Sequence, residues 1–269
     1  MLATFFTPLV LAGTCAAGLT AAPDTGAIGQ CVTYAERPAA KVERHIVPTT
    51  DADGIVVDLA ERALYWFDGG HLKARYPVAA GKPDWPTPTG DFWISGRRKD
   101  PTWHVPRSIQ HEMAREGYDV ETVVLPGPRN PLGRHFIQLS ADNLGLHGTN
   151  APWSVGRFAT HGCMRMRATD VKRIFDEAPD HTPVRIVYQP LQIAVDDEGG
   201  VYLEVHRDVY GRYPNDLARV RARLEAAELA DRVEWPRVAE ALRKAAGQVV
   251  DVTRGRRLRP PSGRATTSE

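Results

Sequence analysis

Cysteine is scarce in this chain, at three residues in 269: Cys15, Cys31 and Cys163. A lattice of disulfides is therefore not what holds it together. A chain of this length buries enough apolar surface for a core of its own. Net charge is scarce too. Lys and Arg total 34 against 33 Asp and Glu, a formal +1. No basic stripe interleaved with aromatics runs through the sequence, which argues against nucleic acid as the main partner. Long apolar runs are confined to residues 1–22, where no acid or base occurs before Asp24. Phe5, Phe6, Leu9, Val10 and Leu11 followed by small residues to Ala22 read as an export signal, and the run is short for a membrane span. An uncleaved anchor is the competing reading. Membrane contact is expected only through this segment, and the protein is expected to be exported from the cytoplasm.

Removal of such a signal leaves Cys31 and Cys163. One reading joins them in a disulfide. Against it, Cys31 falls in residues 23–50, a Pro/Ala/Thr-containing stretch without sustained period that reads as a linker. Cys163 instead lies in Thr160-His161-Gly162-Cys163-Met164-Arg165-Met166. An exported lone thiol is open to oxidation, so a chain that keeps one has a use for it.

What is present in quantity is strand pattern. Ile55 to Leu59 and Ala63 to Phe67 are β-branched and aromatic runs, Asp68-Gly69-Gly70 is a turn signal, and His71 to Ala79 alternates. An antiparallel meander is expected, followed by a Pro-rich loop and a strand over Asp91 to Ser95. Phe136 to Leu139, Leu144 to His147, Val184 to Tyr188, Leu191 to Val195 and Val201 to Val205 read as further strands. Residues 96–134 interrupt them with Pro126, Pro128, Pro131 and a short helix over Ser108 to Glu116, capped by Ser108. An insertion of this length reads as a lid over a site, or as a surface elaboration. A helix is expected over Asp170 to Glu177 with Thr169 at its cap. Two amphipathic helices follow, Asn215 to Leu229 and Trp235 to Ala246. Residues 254–269, with Arg254, Arg256, Arg257 and Arg259, are a basic tail that is disordered by composition. The expected division is therefore 1–22 signal, 23–50 linker, 51–209 a mainly β catalytic domain with the 96–134 lid, 210–253 a helical extension, and 254–269 tail.

The chemistry concentrates around Cys163. A thiol of ordinary acidity is a few per cent thiolate at neutral pH, and an adjacent imidazole raises its reactivity by taking the proton. His147 and His161 both qualify. His161 shares a face with Cys163 in extended chain, and His147 reaches it across the Asn150–Ala159 loop. Gly148 lets the backbone pass close to His147, with its carbonyl free to orient the ring. Gly162 allows a bend at which its amide and that of Cys163 form an oxyanion hole. Arg165 suits a substrate carboxylate. The same His147, His161 and Cys163 types also bind zinc. No carboxylate to orient such ligands lies close by in sequence.

Thr160-His161-Gly162-Cys163-Met164-Arg165 resembles the [Ser/Thr]-His-Gly-Cys-x-Arg signature of the YkuD-type L,D-transpeptidases, and Leu146-His147-Gly148-Thr149-Asn150 resembles their upstream His-Gly-Thr element. Thr87-Pro88-Thr89-Gly90-Asp91-Phe92 and Asn130-Pro131-Leu132-Gly133 resemble two further family turns. The likeness runs from about residue 54 to 206. It implies a YkuD-like β-sandwich with short helices and a two-step acyl transfer that needs no metal or cofactor. Cys163 is implied as nucleophile and His147 as base, with Gly148 beside it. His161, Gly162 and Cys163 are implied to lend amides, and Arg165, Thr149, Asn150 and Thr160 to hold substrate. The implied partners are peptidoglycan stem peptides, with an envelope lipoprotein as a further acceptor, and carbapenems are the implied inhibitors. Residues 23–50 are too short for the LysM-like wall-binding module that many such proteins carry. A non-catalytic wall-binding module and a hydrolase of the same fold remain alternative readings.

Overall fold

The computed structural model of the protein describes residues 29–34, 43–47, 53–213 and 216–255. The expected export signal and all but the first two residues of the basic tail lie outside the described residues. In chain order the strands are β1 (Gly29–Tyr34), β2 (Glu43–Val47), β3 (Gly54–Asp58), β4 (Ala63–Asp68), β5 (His71–Pro77), β6 (Ala80–Gly81), β7 (Gly90–Lys99), β8 (Trp103–His104), β9 (Val123–Val124), β10 (His135–Leu139), β11 (Gly145–His147), β12 (Phe158–Thr160), β13 (Met164–Arg165), β14 (Pro183–Val187), β15 (Leu191–Val195), β16 (Val201–His206) and β17 (Ala246–Asp251). The helices are α1 (Arg107–Glu116), α2 (Ala168–Glu177), α3 (Leu217–Ala226) and α4 (Trp235–Lys244). The fold is mainly β, as the sequence implies. Among the described residues no helix is long and apolar enough to cross a membrane.

Eight strands form one sheet in the order β13-β11-β10-β7-β14-β3-β4-β5. The meander is as expected. Gly69 at φ 58° and Gly70 at φ 73° form the two-residue connection of β4 to β5, a conformation that matches strand twist and that glycine adopts freely. Every residue of β3 is buried, which is why it reads as one apolar run. Ile55, Leu64, Trp66, Ile94, Ile137, Leu146, Met164 and Ile186 make the core beneath the sheet, and α2 lays Val171 and Ile174 on it. That helix starts at Ala168, with Arg167 rather than Thr169 at its cap.

The linker expected over 23–50 contains two strands. β1 pairs in parallel with β15, Gly29 opposite Ala194, and antiparallel with β2. They complete a second sheet in the order β17-β16-β15-β1-β2. Short strands of this kind owe their existence to distant partners, so no local period announces them. β15 and β16 therefore pair in this second sheet and not in the eight-stranded one. The expected helical extension is not wholly helical. α4 stops at Lys244, Ala245 takes φ 40°, and the chain returns as β17 along β16. Val220, Leu224, Val238 and Ala241 of α3 and α4 pack on Leu191, Ile193, Leu203 and Val205.

The insertion begins later than the sequence suggests. Arg97, Arg98 and Lys99 are still sheet, paired with Ile137, Phe136 and His135 of β10. Beyond them β8 and β9 form a two-stranded ribbon, and α1 stands between. The helix starts at Arg107 after Pro106 and ends at Gly117, φ 79°. Asn130 anchors the base of this flap: its Nδ2 donates to Pro101 O, Val124 O and Leu125 O at 2.8, 3.2 and 3.3 Å.

Candidate active site

β11 and β13 run parallel in the register Leu146 with Met164 and His147 with Arg165. Leu146 and Met164 are both fully buried in the core. Side chains alternate along strands, so His147 and Arg165 project from the opposite face. Cys163 immediately precedes β13 at the position that shares that alternation.

β10 extends this face. Phe136 lies opposite His147, their rings stacked at 6.4 Å and 20°, and the Arg98 guanidinium stands 5.4 Å over the Phe136 ring. The Phe136 ring leans across Gly145, where a Cβ would sit 2.7 Å from the ring and 2.6 Å from Ile137 O. Gly133 meets the strand end from the flap side. A Cβ there would fall 2.7 Å from the Thr149 amide, at φ 64°.

His147 is buried, and its Nδ1 lies 2.6 Å from Gly148 O. That contact is the one expected from the glycine that follows. Burial and the nearby Arg165 charge push the imidazole down to about 4, against the carbonyls of Gly148 and Pro131, which favour its protonated form. It is neutral at neutral pH. Cys163 is a free, half-buried thiol. Its Sγ donates to Asn143 O at 3.1 Å, in the turn between β10 and β11. Burial pushes the thiol up to about 11, opposed in part by the Gly145 amide. The resting site thus holds a neutral thiol and a neutral imidazole, with no ready-made ion pair.

Thr160, expected to hold substrate, is buried. Its hydroxyl donates to Cys163 O at 2.6 Å and accepts from the Gly162 amide at 3.3 Å. Gly162, at φ 115°, thus turns its N–H toward Thr160 rather than into an oxyanion site. Thr149 Oγ1 accepts from the Ala151 amide at 2.8 Å, and Asn150 Nδ2 donates to Arg129 O at 2.9 Å. Both shape the loop that follows His147.

Arg165 is set from two sides. Its backbone pairs with Ala79 through bonds of 2.7 and 3.0 Å, and its Nη1 donates to Ser154 Oγ at 2.8 Å. Its Nε is buried and unbonded among the described residues. A buried donor of this kind favours an acceptor brought from outside.

The two histidines part company. His161 does not join His147 but faces the flap, where its Nε2 bonds a Glu112 carboxylate oxygen of α1. Lys82 Nζ approaches the same ring nitrogen at 3.5 Å. Trp85 lies 5.6 Å from the His161 ring. Among the described residues no three His, Cys, Asp or Glu side chains gather as metal ligands. An open groove of about 570 Å³, lined by Lys82, Trp85, His111, Glu112 and Arg115 among others, runs along α1. Sequence reasoning missed Phe136, Asn143, Ser154, Lys82 and Glu112. A strand register signals Phe136, as the residue opposite His147. No local pattern marks the others.

Residues 52–186 match the family model of the YkuD L,D-transpeptidase catalytic domain. The chain is 31% identical to the probable L,D-transpeptidase ErfK/SrfK of Salmonella typhimurium, over 78% of this chain and 71% of that one. It is 32% identical to the probable L,D-transpeptidase YcfS of Escherichia coli, over 64% of this chain and 55% of that one. A solved L,D-transpeptidase from Mycobacterium smegmatis is similar at 20% identity and a TM-score of 0.39, over 49% of this chain and 57% of that one. The chain spans about half to seven tenths of the length of these proteins.

Proposed function

The chain belongs to the YkuD family of L,D-transpeptidases, and from that premise we propose that Cys163 is the nucleophile of a two-step acyl transfer on peptidoglycan stem peptides. The observation that supports this most directly is the free Cys163 thiol beside a strand whose same face carries the buried, neutral His147 and the set Arg165. The thiol starts protonated, so His147 takes its proton as Sγ attacks the carbonyl between diaminopimelate and the terminal D-Ala. The imidazolium then gives that proton to the departing D-Ala nitrogen, and a thioester remains. An amine of a second stem or of an envelope lipoprotein attacks the thioester. His147 receives the amine's proton and returns it to the Cys163 sulfur.

In this reading Arg165 holds a substrate carboxylate through the donor that the fold leaves unbonded. Thr160 holds the nucleophile turn in shape from behind. The flap over residues 100–134 bounds the cleft, residues 1–22 direct export to the periplasm, and carbapenems acylate Cys163. Incubation with disaccharide tetrapeptide, followed by mass spectrometry, tests the proposal. Release of D-Ala with an acyl adduct on Cys163 is expected, lost in Cys163→Ala. Absence of the adduct in the wild type, or its persistence in the variant, sinks it. Hydrolysed tripeptide without amine transfer instead marks a hydrolase of the same fold.

A further inference from the structure

The flap is held at its two ends by unlike means. At its base the Asn130 side chain makes four hydrogen bonds and β8 pairs with β9. Its helix has no buried residue, so burial contributes little to keeping it down. Among the described residues, the side-chain contacts of α1 with charged or imidazole groups elsewhere in the molecule both run through Glu112: an ion pair to Lys82 Nζ at 3.1 Å and a hydrogen bond to His161 Nε2. Both partners come from one place, since the Lys82 amide donates to Thr160 O at 2.9 Å and sets Lys82 beside the nucleophile turn. The two partners draw the Glu112 carboxyl below its ordinary range, His161 most strongly, so it is ionised at neutral pH. His161 is separated from Cys163 by Gly162 alone, and Thr160 clasps that peptide on both sides. Whatever fixes the His161 ring therefore fixes the backbone leading into Cys163.

We propose that Glu112 is a positioning residue: its carboxylate latches the flap helix onto the His161–Cys163 turn, so that lifting the flap also releases the setting of the nucleophile. Its value to acyl transfer rests on Cys163 being the nucleophile, but the latch itself does not. The groove along α1 is lined by Lys82 and Glu112 themselves, so a ligand that enters it meets the latch directly. A cationic group of the incoming chain competes for Glu112, and an anionic group competes for Lys82.

The test uses the full chain as wild type, Glu112→Ala, Glu112→Gln and Lys82→Met. Hydrogen exchange read by mass spectrometry follows the flap, and the rate of Cys163 alkylation by iodoacetamide at mildly alkaline pH follows the nucleophile turn. In Glu112→Ala, peptides over 107–118 are expected to exchange about tenfold faster, a size set by losing one partly exposed ion pair and one hydrogen bond. Peptides from β4 and β10 stay unchanged, and Cys163 alkylation shifts at least about threefold. Lys82→Met, which keeps the His161 contact, gives a smaller shift of the same sign. Glu112→Gln keeps the side-chain shape and supplies the answer if Glu112→Ala does not fold. Flap exchange within twofold of wild type overturns the latch. So does faster flap exchange with an unchanged Cys163 rate, since that shows a helix held but not coupled. Neither readout needs D-Ala release, so loss of the transpeptidase reading and loss of the latch are told apart.

Discussion

One side of the site, the strand wall, presents Phe136, His147 and Arg165 from a face whose reverse is packed in the core. The flap wall presents Glu112 from a helix with no buried residue. The same residue type fares differently on the two. On the strand wall, burial strips His147 of its proton and the Gly148 carbonyl fixes its ring. On the flap side, His161 is held by a carboxylate that arrives on a separate element. The base proposed for the acyl transfer would thus take its orientation and protonation state from the packed wall, and the latch proposed at Glu112 stands on a helix that buries nothing.

That contrast breaks or sharpens in four measurements. The largest effect is expected from His147→Ala, which lowers the rate of Cys163 acylation by about a thousandfold, in the range of a lost general base. Survival of acylation in that variant but not in His161→Ala would exchange the roles of the walls. Next is Gly133→Ala. It adds a methyl 2.7 Å from the Thr149 amide at φ 64°, and is expected to cost about 2–4 kcal/mol by thermal unfolding. An equal change at Gly117, where no atom lies within 4 Å of the added Cβ, should cost less, about 1 kcal/mol from backbone strain alone.

The third measurement is pH. His147 stays neutral down to about 4 and the Cys163 thiol stays protonated up to about 11. Acylation by substrate, which uses the neutral pair, should therefore hold level as pH falls from 7 to 5 and drop only toward 4. Alkylation by iodoacetamide uses thiolate, and should climb about tenfold per pH unit from 7 to 10. A midpoint near 6.5 in the acylation profile would mean that the strand wall is not sealed from water. The smallest effect is expected from Ser154→Ala, which removes one bond to Arg165. It should raise KM a few-fold, with kcat nearly unchanged.

The same contrast explains what the sequence discloses. The meander is legible because Ile55–Leu59 and Ala63–Phe67 carry their own β pattern and Asp68-Gly69-Gly70 carries its own turn. The proximity of His147, Cys163 and Arg165 is legible because they sit close along the chain, on or just before two adjoining strands. The separation of His147 from His161 is not legible. It depends on a bend at Gly162 and on Glu112, whose helix is legible but whose partners across the molecule are not, since no buried residue fixes the face it presents. Thr160 looks like a substrate ligand in the motif, and only the fold turns its hydroxyl inward. β1 and β17 pair with strands far along the chain, where local pattern has no say, and β2 joins the sheet only through β1. Ala245 at φ 40° ends α4 without a glycine at that position to mark it.

The second sheet ties β1 to β15 and β17 to β16, so the eight-stranded sheet is an insert within it. Taken as an open coil, that insert would make the pairing of Gly29 with Ala194 a slow, long-range closure. Inside the insert, however, β3 lies parallel to β14, Asp58 opposite Val187. Once those two strands meet, the chain entering β3 and the chain leaving β14 are separated by no more than the length of one short parallel pair, and the remaining closure is short. The topology therefore predicts that the sheet that carries Cys163 forms first and the second sheet closes on it, an order that pulse-labelled hydrogen exchange of β10 and β16 peptides during refolding checks.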